Sequence, residues 1–384
     1  MNALELKTHS WRNTLVSVLG LNENSFQLIQ GSLPIGSTSE NLYLMADSVP
    51  PASSNFQFNA SQWNRFSEDY GSLLHSLSPG NNSSQLQAVL GDNYTNWIKF
   101  RNAYYAKGNQ KSQADVFKLF ADEMLDPGVA QTAINTFAQS ALSPLEEAMA
   151  DYTNTSNFLS LTSPSGQVTK VPVYNTTIEK AQAAIRKGRS ASINYDSTSS
   201  NEKKSSFFTG AMDGAFGTVF AVAGAASDKK TSQMITNSKI TISGSINNYA
   251  TLPVGPGDWF NSGVFNNALK NKNDDYVWNP DSSSGWSTFF GAGGSMDRVI
   301  TELIIADGID LTITVHETFS DEQLSSIQQG LGGGFWPFYA GAEGSSKSNT
   351  ALSTQDGKLH IPYKTNIGDI SILGANVTAI ESAF

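Results

Sequence analysis

The chain contains no cysteine. That excludes disulfide staples, thiolate zinc centres and a cysteine nucleophile. Charge is also scarce: Asp, Glu, Lys and Arg make up 15% of the 384 residues, against 39% hydrophobic ones. Ser, Thr, Asn and Gln must therefore cover most of the surface, a profile common in β-rich proteins that work outside the cytosol or pack into assemblies. What charge there is leans acidic, with 34 acidic against 24 basic side chains and a net charge of −10. Nucleic-acid binding needs clustered Lys and Arg to meet phosphates. Here the basic residues are scattered, and the pairs Lys203-Lys204 and Lys229-Lys230 are too small to make a patch.

Long apolar runs are missing as well: none reaches the roughly 18 strictly apolar residues of a membrane helix. The opening MNALELKTHSWRN has no apolar signal-peptide core. The expectation is a chain that is cytoplasmic when made, or exported by a route that does not read a standard signal. Histidine is limited to His9, His75, His316 and His360. None has a carboxylate at metal-ligand spacing, so each is expected to be structural. HExxH, GxSxG, a Walker loop and a strand-coupled GxGxxG are all absent. The glycine-rich run from Gly330 to Gly334 is followed by no Lys-Ser/Thr and no helix signal. The loop NKNDDYVWNPDSSSGW holds Asp274, Asp275, Asn279 and Asp281 but lacks EF-hand spacing, so it reads as a plain loop. No enzyme, cofactor or metal site is expected.

Periodicity divides what is present. The first 40 or so residues carry short β-like runs, SFQLIQGS (25–32) and then ENLYLMADSV (40–49). From about residue 55 to 152 the pattern is helical. SQWNRFSEDYGSLLHSL places Trp63, Phe66, Tyr70, Leu73, Leu74 and Leu77 on one face. GDNYTNWIKFRNAYYA repeats that spacing. Asp126-Pro127 and Ser143-Pro144-Leu145-Glu146 read as helix starts with proline at the first helical position. After residue 155 a hairpin forms around Ser163-Pro164-Ser165-Gly166, and TIEKAQAAIRKG reads as one short helix. Strands then dominate: RSASINYDS, SKITISGSI, GIDLTITVHETF, GKLHIPYKT and DISILGANVTAI. Asp356-Gly357 is a hairpin turn signal. The fold expected is α+β, a helical N-terminal half packed with a β-rich antiparallel C-terminal half, with domains at 1–155 and 156–384.

One island stands apart. Residues 205–227, SSFFTGAMDGAFGTVFAVAGAAS, carry Asp213 as their sole charge and are bracketed by lysines. As a hairpin turned at Asp213-Gly214 both faces are apolar, which suits burial on both sides rather than a pore wall. As a helix, Gly210, Gly214, Gly217, Ala221 and Gly224 form a small-residue stripe that lets helices approach closely in lipid. In water each glycine costs about 1 kcal/mol relative to Ala; in a bilayer, where the backbone must be satisfied internally, a helix is favoured. A weak echo appears at 330–346, GLGGGFWPFYAGAEGSS, again between a strand with a polar bridge and a Ser-rich exit. The other aromatic concentration, PGDWFNSGVFNNA with VWNP and GWSTFFG, suits a sugar-stacking surface or loops pinned into a core.

LGDNYTNWIKFRN, LDPGVAQTAINTFAQSALSPLEEAM, ITISGSINNYATLPVGPGDWF, WPFY and the ILGANV strand together resemble a family of uncharacterised bacterial and fungal proteins. The likeness spans most of residues 85–384 and implies no activity. Ser/Thr-rich strand pairs flanking a small apolar insert resemble, in arrangement alone, β-pore-forming toxins of the aerolysin group. The missing polar/apolar alternation of the insert departs from that pattern.

The leading expectation is a non-enzymatic, membrane-active, toxin-like protein whose partner is membrane lipid or a second copy of itself. Its contact residues would be Phe207, Phe208, Gly210, Gly214, Phe216, Gly217, Phe220, Ala221 and Gly224, with Phe335 and Trp336 assisting. The alternative is a self-assembling structural or storage protein using the same segments between subunits. A third is a carbohydrate- or receptor-binding module using Trp259, Trp278 and Trp286.

Overall fold

The computed structural model describes residues 3–35, 38–50, 52, 55–56, 64–78, 82–106, 111, 113–139, 144–162, 168–199, 229–272, 277–331, 334–339 and 352–384. Of the described residues, 46% are helical and 28% strand, which makes the fold α+β with a largely antiparallel sheet.

In chain order the first elements are α1 (Ala3–Leu19), β1 (Phe26–Pro34), α2 (Glu40–Ala46) and β2 (Asn55–Phe56). Then come the helices α3 (Phe66–Ser76), α4 (Asn82–Leu90), α5 (Asn93–Ala106), α6 (Gln113–Met124), α7 (Pro127–Gln139) and α8 (Pro144–Thr153). A hairpin follows, β3 (Phe158–Thr162) with β4 (Val168–Pro172), then α9 (Ile178–Arg186) and β5 (Arg189–Asp196). Next are α10 (Lys229–Asn237), β6 (Ile240–Pro253), α11 (Ser262–Lys270), α12 (Trp286–Phe290) and β7 (Arg298–Val315). The chain ends with α13 (Asp321–Gly330), β8 (Gly334–Phe335), β9 (Phe338–Tyr339), β10 (Ser353–Gln355), β11 (Lys358–Lys364), β12 (Ser371–Ala379) and α14 (Ile380–Ala383).

Two elements depart from the reading of the first 40-odd residues as β-like. The N-terminus is a 17-residue helix, because Leu4, Thr8, Trp11, Arg12, Leu15 and Leu19 are buried at steps of one, three and four. Polar Thr8 and Arg12 inside that stripe mask its helical period. Residues 40–46 are also helical, burying Leu42, Tyr43, Met45 and Ala46. Elsewhere local chemistry matches position. Thr177 Oγ1 accepts from the Lys180 N–H at 3.3 Å to start α9, and Ser320 with Gln323 closes a capping box on α13. Asp356 and Gly357 both have positive φ, +53° and +69°, as the hairpin between β10 and β11 requires.

The chain separates into two compact units, each built from non-contiguous stretches rather than from an N- and a C-terminal half. Residues 1–63, 176–255 and 300–378 form the first; residues 64–175, 256–299 and 379–384 form the second. The expected boundary near residue 155 is therefore corrected. The helical segment borrows residues 256–299, and the β-rich segment reaches back to α1 and β1 for its cover and an extra strand.

The first unit is organised on β7. β6 runs antiparallel along one side of it from Ile240↔Val315 to Pro253↔Glu302, and β5 pairs with β6 beyond. β11 and β12 lie on its other side, with β1 paired to β12 and β10 to β11. Alternation gives the sheet one apolar face. Ile193, Tyr195, Ile242, Ile246, Leu311, Ile313 and Leu359 pack there against Leu4, Trp11, Leu15, Ile235 and Ile327 of α1, α10 and α13. The second unit has a core of helices α4 to α7 around Trp97, Phe117, Phe120 and Phe137. It also holds an aromatic cluster in which Phe66, Tyr70, Trp259, Phe260, Phe265 and Phe384 meet at centroid distances of 4.8 to 6.4 Å.

Candidate functional site

Four strand ends of the first unit define the site. β5 finishes at Asp196, β6 starts at Ile240, β7 finishes at Val315 and β11 starts at Lys358. Their register places Asp196 opposite Thr241, Thr241 opposite Thr314, and Thr314 opposite His360, so the four ends stand side by side. The connection from β5 to β6 contains residues 205–227, and the connection from β7 to β11 contains residues 330–342. Both connections thus start from the same end of the sheet, the second passing through α13 before it reaches residue 330. Phe207, Phe208, Gly210, Gly214, Phe216, Gly217, Phe220, Ala221 and Gly224 themselves lie outside the described residues.

The sheet face opposite the core is polar over this region. Asn194, Ser243, Thr312 and Pro362 form one rank across four strands; Ser192, Ser245, Asp310 and Lys364 form another. Lys364 Nζ pairs with Asp310 Oδ2 at 2.8 Å. Toward the end that bears the two segments the ranks turn basic. Thr241, Thr314 and His360 make the rank beside Asp196. One step further stand Lys239, His316 and Lys358, and the His316 N–H donates to the Lys239 carbonyl at 2.9 Å. His316 Nε2 hydrogen-bonds Thr241 Oγ1, and His360 Nδ1 hydrogen-bonds Thr314 Oγ1, each at 3.0 Å. Lys239 Nζ lies 2.6 Å from Asp196 Oδ2. Hydrogen bonds from Lys239 and then Thr198 pull the Asp196 carboxyl down to about 2. The His316 imidazole is held below its ordinary value, first by burial and then by Lys358 and Lys239, with Asp196 opposing and His360 adding.

Sequence reasoning missed this rank. The individual residues were visible, but Lys239, His316 and Lys358 are joined only by strand register. A count of outward-facing positions from each strand's apolar partner, Ile240, Val315 and Leu359, could have found it.

Phe335 and Trp336, expected as membrane or subunit contacts, are buried in the interior of the first unit. Trp336 is 1% exposed, with its indole N–H donating to Thr8 Oγ1 at 2.8 Å and its ring 5.9 Å from Tyr195. Phe338 stacks on Tyr363 at 4.1 Å and meets Trp11 edge-on.

The three tryptophans expected to face a ligand are likewise anchors of the second unit. Trp259 is 0% exposed and donates to the Val173 carbonyl at 2.7 Å. Trp278, buried, donates to Asn271 O, and Trp286, half-buried, to Leu269 O, each at 2.7 Å. Both of those carbonyls lie at the C-terminal end of α11, where backbone acceptors have no intrahelical partner. Lys272 Nζ sits 4.6 Å over the Trp286 ring. Trp259 and Trp278 are unavailable to stack on a sugar in this fold.

The second unit also holds perturbed carboxylates. Asp69 is raised to about 6, first by burial, opposed by a Ser295 hydroxyl hydrogen bond and helped by Glu68. Asp151 is raised by burial, then by Glu147 and Asp258. Among the described residues no group of three or more His, Asp or Glu side chains is placed to hold a metal ion. Asn279 Oδ1 accepts from the Asp281 N–H at 3.0 Å, an Asx turn that accounts for the described part of the acidic loop. Among the described residues no helix is long and apolar enough to cross a membrane.

No protein-family model, curated protein or solved structure matches the chain. Function must be read from geometry alone.

Proposed function

We propose that the protein is a non-enzymatic, membrane-active protein of the pore-forming-toxin type, with residues 205–227 as the inserting segment and 330–342 assisting. One observation supports this reading: the connections that contain the two Gly/aromatic segments start from strand ends, of β5 and β7, at the same end of one sheet. The small-residue stripe Gly210, Gly214, Gly217, Ala221 and Gly224 suits close helix contact once in lipid, where the glycine penalty that opposes a helix in water is offset by the need to satisfy the backbone internally.

Dye release from liposomes tests it. Wild-type protein releases dye, and replacing Gly217 and Ala221 by Leu abolishes release while leaving the circular dichroism spectrum unchanged. Absence of release in every lipid composition and pH ends the reading.

Self-assembly is the second reading, favoured by β5, which pairs with β6 alone among the described strands. An edge strand presents unpaired backbone groups that can template a second copy. Concentration-dependent sedimentation in the absence of lipid supports it; a concentration-independent monomer excludes it.

A further inference from the structure

We propose that Lys239, His316, Lys358 and His360, with the hydroxyls of Thr241 and Thr314, form a binding site for a phosphate-type anion on the polar face of the sheet. Neighbouring strands lie about 4.8 Å apart and alternate residues along a strand about 6.8 Å apart. Six side chains in two ranks of three therefore project from a patch about 10 Å across. All six are of the type that donates to phosphate oxygens: ammonium, imidazolium and hydroxyl.

The chain as a whole carries −10, yet two lysines and two histidines converge here. Asp196 is the carboxylate in direct contact, bound to Lys239. The nearby Glu317 is already engaged, accepting from Ser238 Oγ through Oε2 at 3.3 Å and from the Thr318 N–H through Oε1 at 3.4 Å. Lys239 and Lys358 flank His316 in one rank and, after burial, are the main groups disfavouring its protonation. An anion seated over that rank opposes the field of the two lysines and favours the protonated His316 imidazolium. Metal binding does not fit, since the rank is led by lysines, which are protonated donors with no lone pair to give. The site stands whether or not the protein inserts into lipid, because what is read is binding rather than leakage.

Two sources share this chemistry, a phospholipid headgroup and a soluble phosphate compound, and the test separates them. Proton NMR of the histidine rings is followed while inorganic phosphate is added at about pH 6. His316→Gln and His360→Gln assign the signals. The expected result is that the His316 and His360 signals move and the His316 midpoint rises, while the His9 and His75 signals stay in place. Lys358→Gln weakens the response about tenfold, and the Lys239→Gln/Lys358→Gln pair weakens it further, with an unchanged circular dichroism spectrum showing that the fold is intact. No movement, or equal movement in both variants, overturns the site. In the second arm the protein is sedimented with vesicles of phosphatidylcholine alone or containing phosphatidylglycerol. Binding restricted to phosphatidylglycerol and displaced by phosphate identifies the headgroup. A phosphate response without vesicle binding identifies a soluble phosphate. Vesicle binding that neither phosphate nor Lys358→Gln reduces places lipid contact elsewhere and counts against the patch.

Discussion

The indole N–H of Trp336 donates to Thr8 Oγ1 at 2.8 Å, and the Thr8 hydroxyl donates in turn to the Leu4 carbonyl at 2.9 Å. This buried chain of two bonds ties a segment late in the sequence to the first helix. Tyr195 reinforces it, its hydroxyl donating to the Lys7 carbonyl at 3.1 Å and its ring lying edge-on to Trp11 at 5.6 Å. Thr8→Val leaves a buried N–H without an acceptor and is expected to cost about 1–3 kcal/mol. The same change in a Trp336→Phe background should cost much less, because the donor is already gone. Equal costs in the two backgrounds, measured by urea unfolding, would show that the bond contributes nothing.

That latch also bears on insertion. If residues 330–342 assist at a membrane, Phe335 and Trp336 must first leave α1. Thr8→Val is then expected to speed dye release from liposomes by several-fold while lowering the melting temperature. A lowered melting temperature with an unchanged release rate would remove the second segment from the process and leave 205–227 to act alone.

Trp278 and Trp286, the first residue of α12, both donate to carbonyls at the C-terminal end of α11. Trp278→Phe keeps most of the ring volume, including much of the stacking on Phe289 at 6.2 Å, but deletes the N–H. A loss of about 1 kcal/mol is expected. Trp286→Phe should cost less, since that side chain is only half-buried. The order of the two melting temperatures checks this, and a larger loss at Trp286 contradicts it.

Much of the architecture was legible in the residues. β-branched alternation marked β5, β6, β7, β11 and β12, and the Asp356-Gly357 turn fell where its backbone demands positive φ. Pro127 opened its helix, with the Val129 and Ala130 N–H groups on the Asp126 carbonyl. What stayed hidden has one physical cause: long-range pairing leaves no trace in a local window. α1 was missed because Thr8 and Arg12, buried in its stripe, earn their places by bonds to other segments. Arg12, for instance, donates through Nε and Nη2 to the Phe26 carbonyl at 3.0 and 2.8 Å. The unit boundaries were missed because residues 256–299 join the helices through Trp259 and Phe265, contacts that composition cannot reveal. The basic ranks at the sheet end exist only in register.

Gly71 sits where α3 meets α8. A Cβ there would fall on the ring of Tyr152, which already lies edge-on to Tyr70 and Phe158. Gly71→Ala, normally a mild gain in a helix, is expected instead to lose about 1–3 kcal/mol by overpacking. Pairing it with Tyr152→Leu should recover part of the loss. A stabilised Gly71→Ala protein would mean that the two helices part easily.

Asp69 gives the clearest pH dependence. Its carboxyl is raised from 3.8 to about 6, and Oδ2 is buried with no hydrogen-bond partner among the described residues. The folded state therefore holds the proton more tightly than the unfolded chain does. Ionised Asp69 destabilises the fold above about pH 6, and that penalty is relieved as pH falls toward the unfolded value. Asp69→Asn removes the charge and keeps an oxygen that can accept from Ser295. After allowance for solvent screening of a partly exposed group, a gain of about 1–2 kcal/mol is expected at neutral pH. The difference between variant and wild type should stay level above about pH 7 and shrink as pH falls from about 6 to about 4. A pH-independent difference would mean that the carboxyl titrates normally and that the gain has some other origin than the buried charge.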